Sequence, residues 1–162
     1  MTDYKFHSSK TLGVRKLKYG YDTYLRDITT LYQNIKNSGK EYDIIIGVQR
    51  GGLIPAVHLS NLLDVPMQAL QWSHTKGKVR EGSSPHLICN RDKNVLLVDD
   101  ILDVGNTIHE IHNHYWKMDT AVLIHNVENK FNITPDFAAW VINRSELPDW
   151  IDYWWEKETN NE

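Results

Sequence analysis

Short aliphatic runs alternate along this chain with stretches whose apolar residues recur every three or four positions. Tyr24, Ile28, Leu31 and Ile35 share one face at 3.6-residue periodicity, which predicts a helix over Thr23–Asn37 with Asp22 as its N-cap. The polar stretch NSGKEYD stops it. DIIIGV, ending at Val48, is an unbroken aliphatic run of the kind found in parallel strands covered on both faces. QRGG interrupts that run, and Leu53–Leu63 follows as a helix with Pro55 tolerated in its first turn. VPMQAL, His86–Cys89, Val95–Val98, TAVLIHN and DFAAWVI give further strands, Thr107–Trp116 another helix, and LGVRKLKYGY alternates as a strand can. Strands alternating with helices predict an α/β fold, an open and mostly parallel twisted sheet with helices on both faces.

Between Gln71 and Pro85 the pattern lapses. QWSHTKGKVREGSSP is polar, basic and rich in Gly and Ser, and a connection of this length is expected to be a lid, a binding loop or a hairpin extension. The 162 residues suit one domain, 1–162, with no internal repeat. A formal net charge of -3 provides no general basic field, so nucleic acid is not the expected partner. The single cysteine, Cys89, allows no intrachain disulfide and reads as an inert buried thiol. No apolar run reaches membrane-spanning length and the first residues lack a secretion-type apolar segment, so a cytoplasmic location is expected.

In parallel α/β sheets, ligands bind beyond the carboxyl ends of the strands. Two segments have that context. In IIIGVQRGG, adjacent glycines leave backbone N–H groups open to an anion and Arg50 can add a bidentate charge, although a plain tight turn would use the same residues. In NVLLVDDILDVGNTI, Asp99 and Asp100 are expected to end a strand, and Asp103–Thr107 to enter a helix whose first N–H groups and Thr107 hydroxyl can cradle a phosphate. Carboxylates cannot themselves hold phosphate. They require a hard divalent cation or sugar hydroxyls between, and magnesium commonly bridges the two. The chain contains neither GxxxxGK[ST] nor GxGxxG. His109, His112 and His114 fall within one helical stretch without another converging ligand, and read as surface or satisfied histidines.

LLVDDILDVGNTI resembles the phosphoribosyl-pyrophosphate motif of the type I phosphoribosyltransferases, in which an aliphatic run, two acids and two intervening residues precede Asp-Thr-Gly-x-Thr. YDIIIGVQRGGLIPAVHLSNLL is similar to that family's strand, pyrophosphate loop and helix, particularly in xanthine-guanine and hypoxanthine (6-oxopurine) enzymes. DWIDYWWE is similar to the short C-terminal segment that encloses the base in that branch. The resemblance covers Tyr19–Glu156. It implies that Asp99 and Asp100 engage the ribose hydroxyls, directly or through Mg2+ and its waters. Val104, Gly105, Asn106 and Thr107 would grip the 5-phosphate, and Arg50 and Gly51 the pyrophosphate over a strained or cis peptide. Asp103 would face N7 of the purine as catalytic base or acid. Lys76, Lys78 and Arg80 would belong to a mobile loop, and Trp150 with Ile151 would border the base.

The implied reaction is transfer of a 5-phosphoribosyl group from phosphoribosyl pyrophosphate to a purine base, in salvage, by a homodimer or homotetramer. Val104 stands where the family has threonine, Gln49 where serine or lysine is common, WSH where relatives have Ser-Tyr, and Trp154 where proline is usual. The family's purine-recognition lysine has no counterpart at the end of TAVLIHN, where His125, Asn126 and Val127 stand before Lys130. Asn126, His125 or Lys130 would then serve the 6-oxo group. The alternatives are transfer to a different base or nitrogen nucleophile, and a non-catalytic regulatory or RNA-binding protein that retains the fold.

Overall fold

In a computed structural model that describes residues 8–11, 14–72, 74–75, 78–79 and 92–156, a five-stranded sheet carries the core. Its strands are β3 (Ile44–Val48), β4 (Met67–Leu70), β7 (Val95–Leu102), β8 (Asp119–Asn126) and β9 (Phe137–Ile142). They lie in the order β4-β3-β7-β8-β9, and every neighbouring pair is parallel. Helices α1 (Tyr21–Asn37) and α2 (Leu53–Leu63) cover one face, and α3 (Asn106–His114) the other.

The twofold alternation of a strand assigns each aliphatic side chain to a face. Ile45, Leu96, Val98, Ala121 and Leu123 pack with Tyr24, Ile28, Leu31 and Ile35 of α1 and with Ala56 and Leu59 of α2. Ile44, Ile46, Val48, Leu97 and Val122 pack with Ile108 and Ile111 of α3. Both faces of β3 and β7 are therefore dry, as their unbroken aliphatic runs require. Each fully buried Ile or Leu contributes roughly 1.5–3 kcal/mol.

A second sheet has the order β1-β2-β10, from β1 (Ser8–Thr11), β2 (Val14–Tyr19) and β10 (Trp150–Tyr153). β1 runs antiparallel to β2 and β10 parallel to it, with Ile151 opposite Leu17. The Tyr19 hydroxyl donates to the buried Asp27 carboxylate at 2.7 Å, tying this sheet to α1. β5 (His74–Thr75) and β6 (Lys78–Val79) pair as a small antiparallel hairpin within the polar segment. Among the described residues no helix is long and apolar enough to cross a membrane.

Several expected boundaries move. α1 begins after Gly20, and Asp22 lies inside its first turn, where its charge suits the helix dipole without capping a backbone N–H. β7 does not end before the acids. It continues through Asp99 and Asp100 to Leu102, because backbone pairing with β8 persists at Ile101–Ile124 and Leu102–His125. α3 spans Asn106–His114 and stops short of Trp116. The tail segment DWIDYWWE, for which no strand is expected, supplies β10. The strand expected at His86–Cys89, including Cys89, lies outside the described residues, as do Lys76 and Arg80; Lys78 contributes its backbone to β6.

Candidate active site

The sheet order reverses between β3 and β7, since β3 connects outward to β4 and β7 outward to β8. Loops leaving such neighbouring strands diverge and leave a crevice at their carboxyl ends. Here that crevice is a cavity of about 380 Å³, within the range of small-molecule sites. Arg50, Gly51, Asp99, Asp100, Asp103, Val104, Gly105, Asn106, Thr107 and Trp150 all line it, together with Gln49 and Trp72.

The first loop, Gln49–Gly52, is held at its start by the Gln49 N–H donating to Leu70 O at 2.8 Å, and its Gln49–Arg50 peptide is cis. The loop lies directly on β7. A Cβ on Gly51 would collide with the Asp100 carboxylate, and one on Gly52 would lie 2.5 Å from Val98 O and 2.8 Å from the Asp99 Cα. At Gly52 the neighbours are backbone and leave room only for a hydrogen, and at Gly51 a side chain would have to displace the Asp100 carboxylate, so the glycine pair brings one strand's loop against the other strand's acids.

The second loop begins at Asp103 and enters α3 through Gly105, whose φ of +90° lies in the left-handed region. Lys130 N–H donates to Val104 O at 3.0 Å and fixes the loop from the β8–β9 connection. Among the described residues no side chain caps the start of α3, and the positive pole of its dipole lies at the cavity end of the helix. Val104 is exposed and supplies only its backbone to this cradle.

Asp99 and Asp100 are adjacent and withdrawn from water. Burial, then the neighbouring Asp100 charge, raises the Asp99 carboxyl well above the ordinary carboxylate range, and burial likewise raises Asp100. The effect spreads to the C-terminal segment. Burial and Asp100 also raise Glu156, and burial and Asp100 push the Tyr153 hydroxyl far upward. Two crowded acids of this kind suit a divalent cation or a set of ribose hydroxyls. Among the described residues no group of three or more His, Cys, Asp or Glu could hold a metal by itself.

Asp103 is the part of the site with the most elaborate support. Arg144 Nε donates to its Oδ1 at 2.8 Å and Nη2 to its Oδ2 at 2.9 Å. Asn126 Nδ2 reaches Asp103 O at 3.2 Å and Oδ1 at 3.3 Å. Asn126, at the end of β8, is only 3% exposed, and its Oδ1 accepts from Glu128 N and Arg144 N. Its amide is spent within the protein and it does not line the cavity. His125 lies near Ile133 O at 3.2 Å, and Lys130 Nζ sits over the Phe131 ring at 5.2 Å.

The two aromatic-tail candidates separate. Trp150 is 57% exposed and lines the cavity, whereas Ile151 is buried in the core beside Leu17. Strand alternation in β10 enforces the division. Sequence reasoning missed Arg144. Its one available sign was an isolated arginine just past the DFAAWVI run, and nothing in its spacing ties it to an acid 41 positions earlier.

Residues 20–151 match the phosphoribosyl transferase domain family. A purine phosphoribosyltransferase from Pyrococcus horikoshii Ot3 is 29% identical over 91% of this chain and 98% of its own, with a TM-score of 0.71. A hypothetical protein from Neisseria gonorrhoeae with bound ppGpp is 27% identical over 90% of this chain and 92% of its own, with a TM-score of 0.63. A Helicobacter pylori xanthine-guanine-hypoxanthine phosphoribosyltransferase shares the fold at 21% identity, covering 87% of this chain and 93% of its own, with a TM-score of 0.69. The family match begins just before α1 and ends inside β10, so it takes in every residue of both loops, and the chain belongs to the phosphoribosyl transferase domain family, in its type I fold.

Proposed function

We propose that this protein transfers the 5-phosphoribosyl group of phosphoribosyl pyrophosphate to a 6-oxopurine (hypoxanthine, guanine or xanthine) with release of pyrophosphate, a purine-salvage reaction. The observation that carries this reading is the meeting of Arg50–Gly51, Asp99–Asp100 and Asp103–Thr107 around one cavity at the point where the sheet order reverses. Family membership and the purine phosphoribosyltransferase from Pyrococcus horikoshii support the reaction class.

In the proposed reaction a purine nitrogen bonds to C1 of the ribose while the C1–O bond to pyrophosphate breaks, and the electron pair leaves on the pyrophosphate oxygen. The backbone donors of Val104–Thr107 hold the 5-phosphate at the start of α3. Arg50 and the open N–H groups beside Gly51 bind the leaving pyrophosphate, where preorganised donors favour the developing charge. Asp99 and Asp100 orient the ribose hydroxyls and would hold Mg2+, which would add Lewis-acid stabilisation of the leaving group. Asp103 faces the imidazole edge of the purine and carries the proton that the ring gains or loses. Trp150 borders the base.

Asn126's commitment to Asp103 favours a second reading, in which the donor half is unchanged and the acceptor is another base or nitrogen nucleophile. One assay decides between them: steady-state pyrophosphate release with phosphoribosyl pyrophosphate, Mg2+ and a panel of oxopurines, adenine and pyrimidines. The Neisseria gonorrhoeae protein with bound ppGpp supports including guanine nucleotides among the ligands. Turnover with an oxopurine supports the first reading, turnover restricted to another base supports the second, and no release with any base refutes both.

A further inference from the structure

Arg144 follows the end of β9, and its guanidinium joins two parts of the cavity wall that are far apart in the chain. Its fork onto Asp103 is bidentate, with N–O distances of 2.8 and 2.9 Å. Its Nη1 donates to Asp149 O at 2.6 Å and to Leu147 O at 3.4 Å, the turn that leads into Trp150. Its own N–H donates to Asn126 Oδ1 at 3.3 Å, and the Asn126 amide returns to Asp103. The polar ring is closed. It occupies the corner where the family's purine-recognition lysine has no counterpart in this sequence.

We infer that Arg144 is the positioning residue for the acceptor half of the site, holding Asp103 and the Trp150 segment in one fixed relation to the incoming base. The inference rests on the proposed reading of the cavity as a phosphoribosyl-transfer site. The physical basis is the shape of the guanidinium. Four hydrogen bonds leave it, two to a carboxylate and two to backbone carbonyls. Arg144 and Asn126 occupy three of the about four acceptor positions of the Asp103 carboxylate, so the one left, on Oδ2, is oriented rather than free to rotate. An ammonium group is a point charge on a flexible stem and cannot reproduce that planar span. The donor half is separate: the hydrogen bonds of Arg144 run to Asp103, Asn126, Leu147 and Asp149, and among the described residues none runs to Asp99, Asp100 or the Gly105–Thr107 cradle.

The test compares wild type with R144M, R144K and R144A, measuring kcat and KM for the base separately from those for phosphoribosyl pyrophosphate. Misplacement of a reacting group by about 1 Å costs about 10²-fold. The R144M enzyme is therefore expected to lose about 10²-fold in kcat/KM for the base while its affinity for phosphoribosyl pyrophosphate stays within about twofold. R144K recovers only part of that loss, and millimolar guanidinium restores R144A toward wild type, which a merely structural defect would not allow. Calorimetry with GMP and with phosphoribosyl pyrophosphate gives the same contrast without turnover, and thermal melting identifies any variant that has not folded. Equal losses for donor and base, or base kinetics and GMP affinity unchanged in R144M and R144K, overturn the inference while leaving an active wild type to support the proposed reaction. A wild type that neither turns over a base nor binds GMP overturns both.

Discussion

A single methyl group at either of two adjacent glycines separates what the first loop does for folding from what it does for binding. At Gly51 an added Cβ enters the space of the Asp100 carboxylate, the far end of a short side chain that can turn away. At Gly52 it meets Val98 O at 2.5 Å, Asp99 Cα at 2.8 Å and Val48 O at 2.8 Å, which are backbone atoms of two central strands. A side chain yields more cheaply than a sheet. G52A is thus expected to lose about 3 kcal/mol of stability, the upper part of the usual overpacking range, and G51A less than about 1 kcal/mol. For a chain of this size those losses correspond to a Tm lower by roughly 6–12 °C and by no more than roughly 4 °C.

Function orders them differently. Turning the Asp100 carboxylate displaces a group that the proposed reaction sets against the ribose, and a displacement near 1 Å costs about 10²-fold. G51A therefore retains most of its stability and loses about 10²-fold in kcat/KM for phosphoribosyl pyrophosphate. Gly20, with nothing within 4 Å of its added Cβ, provides the control: G20A loses less than about 1 kcal/mol and no activity. Differential scanning fluorimetry and initial-rate kinetics on the three variants measure both quantities. A G51A enzyme with wild-type donor kinetics, or a G52A protein with wild-type Tm, refutes the reasoning.

Three further outcomes follow from the same geometry. D103N breaks the fork with Arg144 and removes the proposed proton acceptor, so turnover is expected to fall by about 10²–10⁴-fold while calorimetric affinity for phosphoribosyl pyrophosphate is retained; preserved turnover with the normal base removes Asp103 from its proposed role. Burial and Asp100 raise the Asp99 carboxyl, so the folded state holds more protons than the unfolded one above about pH 4, and stability falls as pH rises toward the raised value. Mg2+ held there as proposed would replace the proton, so its thermal shift is expected to be larger at pH 8 than at pH 5, and a pH-independent shift contradicts the proposed pairing of these acids with a cation. Trp150 is mostly exposed, so W150A changes Tm by no more than roughly 4 °C, equivalent to about 1 kcal/mol, yet raises KM for the base several-fold; an unchanged KM removes it from the base-binding face.

The parts of the molecule legible in the sequence were those governed by local pattern. The aliphatic runs of β3 and β8 and the helical spacing in α1 report burial directly, and the two loops announce themselves through glycines and acids beside those runs. Asp99 and Asp100 obscured the end of β7, because hydropathy registers two acids as a break while the backbone ladder to β8 continues past them. β10 was illegible for a different reason. Its pairing with β2 joins opposite ends of the chain, and four residues with two aromatics carry little strand signal alone. The same holds at Asp103. Its fork with Arg144 and its bond from Asn126 are tertiary contacts, and Asn126, which the sequence offered as a base ligand, is buried as part of that support.

A crystal structure of the protein with Mg2+ and GMP tests the central claim most directly. The expected complex has the 5-phosphate on the Val104–Thr107 backbone, the ribose hydroxyls toward Asp99 and Asp100, and the purine between Asp103 and Trp150 with the Arg144 fork intact. A nucleotide bound away from the β3–β7 crevice, or a base that makes no contact with Asp103, contradicts it.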